Sequence, residues 1–459
     1  MLNTNLKPTL RPYQEVGRDY MSVRVGAGLG DDPGLGKTVT VLSAVKDLNI
    51  QRPVIIISRP LNKRYWERMI EVWDPGVPYL STEKAGRFDY NVVVDWFKKK
   101  KRGYLITHHE GLRYSVDLLN AFGEWGAVIA DEAHRFNNRK AQMTKSLHSI
   151  KAKHRWALSG TPIDKNPADY WANLNWMAPE HFHSYWQWEM KHCRKSGDSR
   201  GKTIISVRNP EALAADLSQF WIMRHKIDIA EQLPPITETP VEVPLDDAQM
   251  ALYKKLERET FVELEGHKWA DLDDQVFIKS ALARMMMLRQ AALDPMLLNQ
   301  PGLGSAKLQW LLEWSQDIAE PFVVFTNSRG FAKKVFDTLP GGGLVIGIGE
   351  GITQKGREKT LIDFMQGQLK YIVGTIQSIG ESINLQAASI AVFTDPPFST
   401  IKMGQAEARI HRLDSPKPVQ LIKLYSPKTV DVPVYETLAR VGSERALVEA
   451  FMKQMRIGD

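Results

Sequence analysis

Short apolar runs rich in β-branched residues, each bounded by turn residues, recur along the chain in the pattern of buried parallel strands. Residues 53–60 read PVIIISRP, 103–107 GYLIT, 127–130 AVIA and 156–159 WALS, with helix-like stretches between them. A second series follows at 322–325 (FVVF), 344–348 (LVIGI), 371–374 (YIVG), 390–393 (IAVF) and 420–424 (QLIKL). Two series of alternating strands and helices predict an α/β fold with two parallel sheets, whose working loops lie at the carboxyl ends of the strands. From about residue 164 to 305 the strand pattern fades. Residues 250–264 and 276–293 read as helices there, and the cluster Met285, Met286 and Met287 reads as core filler. LPPITETP at 233–240 and PGLGS at 301–305 break the chain, and the second α/β domain is expected to begin at the latter.

No apolar run approaches the ~20 residues of a membrane-spanning helix, and the first ten residues carry no apolar stretch for a secretory signal. The expectation is a soluble intracellular protein with no membrane partner. At 459 residues the chain is long enough for two or three domains, and 43% hydrophobic with 25% charged residues is ordinary for a folded protein. The single cysteine, Cys193, excludes an internal disulfide and a cysteine-rich zinc site. A net charge of +7 slightly favours a polyanionic partner. The one charge block, Lys98 to Arg102, is expected to be a solvated surface.

Candidate chemistry changes this picture more than charge does. Asp31-Asp32-Pro33-Gly34-Leu35-Gly36-Lys37-Thr38 leads into an apolar helical pattern. Glycines let successive N–H groups turn toward phosphate oxygens, and the following helix N-terminus favours anions. Asp32 to Thr38 would cradle a nucleotide, with Lys37 on the β- and γ-phosphates and Thr38 offering its hydroxyl to magnesium. The strict P-loop spacing wants glycine where Asp31 stands, and alone GLGKT also describes a tight turn before a helix. Downstream, the run 127–130 delivers Asp131, Glu132 and His134 at a strand end. Asp131 would hold magnesium and Glu132 would orient and deprotonate a water. LSGTP at 158–162 closes the next strand, either as a simple turn or as a sensor of phosphate. Far along the chain Gln405, Arg409 and Arg412 share one helix face. Taken alone they describe surface salt bridges, with Glu407 nearby; beside an ATP site, their guanidinium groups suit the charge that develops on a transferring phosphoryl group.

With these elements in this order the chain resembles the Swi/Snf-like DNA translocases of the superfamily two helicase-related ATPases. LRPYQ at 10–14 looks like the family's opening motif, whose glutamine, here Gln14, recognises adenine. Asp31 to Thr38 resembles its DEMGLGKT, in which aspartate also stands first. FWIMR at 220–224 with LPP at 233–235 resembles the FxLRR and LPP segment, LRQ at 288–290 with Asp294-Pro295 its LRQxxxHP helix, and Lys307-Leu308 its KLxxLxxLL lead-in. QAEARIHRL at 405–413 is close to QAxxRxxRIGQ. The chain departs from the pattern at IGESINL (379–385), where two glycines are missing, at Phe398 in place of tryptophan, and at Asp414-Ser415 in place of Gly-Gln.

The resemblance implies two RecA-like domains, residues 1–200 and 301–459, flanking a helical linker or protrusion over 201–300. It also implies that ATP and magnesium are sandwiched between the two domains, with double-stranded DNA across their tops. Ser58, Arg59, Thr107, Asn327, Ser328 and Arg329 stand at strand ends where the family contacts one strand. Such phosphate contacts carry no sequence information. Three functions follow as expectations: a translocase on duplex DNA that remodels protein–DNA or branched structures, a strand-separating helicase, or a catalytically silent ATP-dependent scaffold.

Overall fold

The computed structural model describes residues 9–82, 91, 94, 98, 102–160, 167–196, 203–226, 228–229, 234–264, 275–347, 352–380, 385–395, 400–411 and 417–440. The chain divides into two compact units, residues 1–230 and 231–459.

The first unit is built on a seven-stranded parallel sheet. Its strands are β1 (Gly26–Leu29), β2 (Val54–Ser58), β3 (Tyr79–Ser81), β4 (Tyr104–His108), β5 (Trp125–Asp131), β6 (Ala152–Leu158) and β9 (Trp221–Ile222), in the order β3-β4-β2-β5-β6-β1-β9. β7 (Cys193–Ser196) and β8 (Thr203–Val207) form a separate antiparallel ribbon. The predicted runs become the central strands because both of their faces are covered. Ile55, Ile57, Val128 and Ala130 enter one core. Their neighbours Val54, Ile56, Ala127 and Ile129 enter the core on the opposite face. This is the two-residue alternation of a strand acting on a sequence that is apolar throughout. In the order β5-β6-β1 the loops that follow these strands are neighbours, so residues 30–36, 131–134 and 159–160 meet at one sheet edge.

The second unit carries a six-stranded parallel sheet of β10 (Ile236–Glu242), β11 (Phe322–Thr326), β12 (Gly342–Val345), β13 (Tyr371–Thr375), β14 (Ile390–Phe393) and β15 (Val419–Tyr425), ordered β10-β15-β14-β11-β13-β12. The helices Asp247–Leu264 and Gln275–Leu293 fall in this unit. Met285 is fully buried among Leu288, Ala291 and Ala292, as core filler should be, whereas Met286 is exposed. At the start of the helix Ala306–Gln316, Lys307 is fully enclosed and pairs with the buried Asp431 at 2.5 Å.

Two expectations need correction. The stretch from 164 to 305 is richer in strand than its pattern suggested, since it contains β7, β8, β9 and β10. β10 includes part of the LPPITETP breaker, and Pro240 is tolerated because β10 is an edge strand. The charge block is not simply solvated either. Lys99 to Lys101 lie outside the described residues, but Arg102 reaches the buried Asp74 at 2.8 Å, where the Tyr104 hydroxyl also donates at 2.7 Å.

Candidate active site

The loop of residues 30–36 hangs between β1 and the helix Lys37–Asp47. Gly34 and Gly36 hold φ of 95° and 81°, which a side chain would strain. Gly36 caps the helix without a side chain, so the first-turn N–H groups are left facing the loop for an anion. Lys37 Nζ lies inside the loop, donating to the backbone oxygens of Asp31 at 2.6 Å and Asp32 at 3.3 Å. Its pKa is lowered by burial, against the pull of Asp31, Glu132, Asp131 and Asp32. Gln14 sits beneath Gly36, where a Cβ would come within 2.4 Å of its amide nitrogen. Its side chain donates to Leu35 O at 3.1 Å and accepts from Arg11 N–H at 3.0 Å.

β5 delivers Asp131 and Glu132 to the same edge. The two Asp131 oxygens are held apart by different donors, Oδ1 by the Glu132 N–H at 3.0 Å and Oδ2 by the Trp66 indole at 3.1 Å. Burial first, then the Glu132 charge, pushes the Asp131 carboxyl up to about 6. Glu132 adopts a left-handed backbone, φ 51°, which is uncommon for a residue with a side chain. Its carboxylate lies 3.4 Å from His134 Nδ1, and that nitrogen is also 3.1 Å from Ser159 Oγ. Ser159 therefore reaches the acidic pair through His134. Gly160 packs on the loop, with a Cβ there only 2.9 Å from the Pro33 ring. Thr161 and Pro162 lie outside the described residues.

In the second unit, Asp395 organises the loop after β11. It accepts from Thr326 Oγ1 at 2.7 Å, from Asn327 N–H at 3.1 Å and Nδ2 at 2.7 Å, and pairs with Arg289 at 3.3 Å. Ser328 caps the helix Arg329–Thr338 by accepting from Phe331 N–H. Arg329 is exposed, its guanidinium lying against Gly347, where a Cβ would collide. Arg59 is half-buried, while Ser58 and Thr107 are fully enclosed and present no hydroxyl to solvent. Arg409 is half-buried on the helix Thr400–Ile410, and Glu407 on that helix pairs with Lys423 at 3.4 Å. Arg412 and the side chain of Gln405 lie outside the described residues.

The family model for the SNF2-related domain matches residues 15–297, more than half of the chain. The chain belongs to the SNF2-related family. The model of the helicase conserved C-terminal domain matches residues 306–414 of this SNF2-related chain. Among similar proteins are the SWI/SNF chromatin-remodeling complex subunit snf22 of Schizosaccharomyces pombe, 22% identical over 92% of this chain and 27% of that protein. Another is the chromodomain-helicase-DNA-binding protein 1-like of Danio rerio, 24% identical over 97% of this chain and 44% of its own. The chain spans less than half the length of these relatives. A solved structure, the Sulfolobus solfataricus SWI2/SNF2 ATPase core in complex with dsDNA, aligns at 23% identity and a TM-score of 0.45, covering 98% of this chain and 97% of that one.

Trp66 and His109 of this SNF2-related site carry no signal in the sequence, and Arg224 carries one only as the end of the FWIMR likeness. Trp66 is fully buried and fixes Asp131. His109 lies 2.8 Å from the Asp131 carbonyl through Nε2; a carbonyl only accepts, so Nε2 carries the proton. Burial first, then Arg135, lowers His109 to about 4. A histidine with a depressed folded pKa stabilises the fold above its unfolded pKa of about 6.5, and that contribution is lost as pH falls toward 4. Urea melts from pH 7 to 4 should therefore lose up to about 3 kcal/mol in wild type beyond the loss in His109→Gln. Parallel curves for the two proteins would remove this assignment.

Proposed function

We propose that the chain is a DNA-dependent ATPase that translocates on double-stranded DNA and remodels protein–DNA or branched structures. The observation that carries this reading is the meeting of Lys37, Asp131 and Glu132 at the carboxyl ends of β1 and β5, which flank β6, beside an open helix N-terminus. That set supplies a cation for phosphate, an oxygen ligand and a base. Magnesium suits it, because the Thr38 hydroxyl and Asp131 carboxylate are hard oxygen donors. No cluster of three or more metal-ligating carboxylates, histidines or cysteines occurs among the described residues, so phosphate and water oxygens would complete the shell. When bound, magnesium would neutralise charge on the β- and γ-phosphates.

In this reading Gln14 meets the adenine, the loop Asp32 to Thr38 encloses the phosphates, and Glu132 takes a proton from the attacking water. Arg409 and Arg412 neutralise the transferring group, which makes hydrolysis conditional on the second unit closing on the first. The DNA partner rests on the family and on the cations Arg59 and Arg329, with Asn327 and Ser328 shaping the second loop. Ser58 and Thr107, being enclosed, support these loops from within. The names of relatives that bind DNA or remodel chromatin favour a duplex track.

The test is the ATPase rate with single-stranded DNA, duplex, forked DNA and RNA, run beside triplex displacement and forked-duplex unwinding. Duplex should stimulate most, with triplex displaced and plain duplex left paired. Efficient unwinding would favour a strand-separating helicase. Absence of turnover with every nucleic acid would leave an ATP-dependent scaffold. Stimulation should fall steeply with salt, since phosphate contacts release counterions.

A further inference from the structure

β9 lies far from the nucleotide loop in sequence and directly beside it in space. It adds to β1 in parallel, Trp221 facing Gly28 and Ile222 facing Leu29. A Cβ on Gly28 would lie 2.2 Å from the Trp221 ring, so only glycine admits this strand so closely. The next turn carries Arg224 to Asp31. The guanidinium grips that carboxylate with two prongs, Nε to Oδ1 at 2.8 Å and a terminal nitrogen to Oδ2 at 2.6 Å. Its remaining terminal nitrogen donates to the backbone carbonyl of Tyr13. Gly17 leaves the space for it, since a Cβ there would come within 2.6 Å of the guanidinium.

The contacts continue into the loop from both sides. The Tyr13 hydroxyl donates to Leu35 O at 2.8 Å, alongside the Gln14 amide at 3.1 Å. Lys226 N–H donates to Asp32 Oδ2 at 2.8 Å, and His225 Nδ1 lies 3.3 Å from Asp32 Oδ1. Asp31 is itself fully buried, and its backbone carbonyl accepts the 2.6 Å bond from Lys37 Nζ. The residue that Arg224 fixes is thus the residue that fixes Lys37. A buried carboxylate held by one bidentate guanidinium cannot move without breaking charge-assisted bonds, and a lysine could not reproduce the fork.

We propose that Arg224 is a positioning residue for nucleotide binding, which sets the loop backbone and Lys37 through Asp31 and ties both to the Gln14 helix. Asp31, standing where the strict P-loop spacing has glycine, is then the loop's anchor and not a phosphate contact. The proposal rests on reading residues 31–38 as the nucleotide loop.

The test is equilibrium binding of a fluorescent ATP derivative to the full chain without nucleic acid, with thermal unfolding measured in parallel. Arg224→Gln should weaken binding at least about tenfold, the scale of a lost charge-assisted pair, and Arg224→Lys should fall between it and wild type. Asp31→Asn should weaken binding similarly, and the double variant Asp31→Asn with Arg224→Gln should be no worse than the weaker single. Arg52→Gln, at the exposed pair with Glu124, should bind as wild type. Should Arg224→Gln fail to fold, Arg224→Lys and Asp31→Asn decide the matter by the same measurement. Folded Arg224 and Asp31 variants that bind within about twofold of wild type, with only their melting points lowered, would overturn the proposal. Wild type that binds no nucleotide would instead remove the reading of the loop itself.

Discussion

Glu132→Gln is expected to bind ATP close to wild-type affinity and to hydrolyse it at least about a hundredfold more slowly, the usual scale for loss of a positioned general base. The substitution replaces a carboxylate with an amide of the same shape. The local geometry should survive, because the left-handed backbone at Glu132 is held from outside the side chain: its N–H donates to Asp131 Oδ1, and β5 fixes Asp131 between β2 and β6. What is lost is the basic oxygen, together with the partner 3.4 Å from His134. Lys37→Ala supplies the contrast. Lys37 sits within the loop on the Asp31 and Asp32 carbonyls, so its removal takes away the cation that phosphate would meet. It should weaken nucleotide binding itself. Equilibrium binding and single-turnover hydrolysis of both variants separate the roles. Glu132→Gln with wild-type turnover would assign the base elsewhere.

The parts of this site that were legible in the sequence are the parts whose signal is local. Lys37 and Thr38 follow glycines with positive φ, and Asp131 and Glu132 follow an apolar run buried on both faces, so a few adjacent residues suffice. The same holds for the central strands, where VIII at 54–57 can be little else. β1 was illegible because GAGL has no β-branched residue. It is a strand because β6 and β9 flank it, and its glycines admit the Trp221 ring and the Met177 backbone. β9 and β10 failed for related reasons, one being two residues long and the other containing proline at an edge.

The partners that hold the candidate site's acidic groups were hidden by distance along the chain. Trp66 is 65 residues from Asp131, His109 is 22 residues from it, and Arg224 is 193 residues from Asp31. Nothing in RYWERM or THHE announces such a role before the sheet brings the segments together. FWIMR was recognised as a family likeness, yet its physical meaning, a strand that locks the nucleotide loop, required the fold. The same limit applies to Asp395, whose bonds to Asn327 and Arg289 arise only when β11, β14 and the helix Gln275–Leu293 assemble.

Arg409→Ala is expected to lower DNA-stimulated turnover by about a thousandfold, as loss of an arginine that neutralises a transferring phosphoryl group does. The fold should tolerate the change. The helix Thr400–Ile410 is anchored by Ala406 and Ile410, both fully buried, and by the Glu407 contact to Lys423 on β15. The Leu385 N–H bond is made to the Arg409 backbone oxygen, which alanine retains. Binding of ATP without DNA should therefore change little, since the nucleotide loop belongs to the first unit. Arg409→Lys should not restore the rate, because a point charge on a flexible stem does not reproduce a planar fork. The decisive comparison is single-turnover hydrolysis against ATP affinity, with circular dichroism as the check on folding. Unchanged DNA-stimulated turnover in a folded Arg409→Ala protein would return this arginine to the surface salt bridges that its helical spacing alone describes.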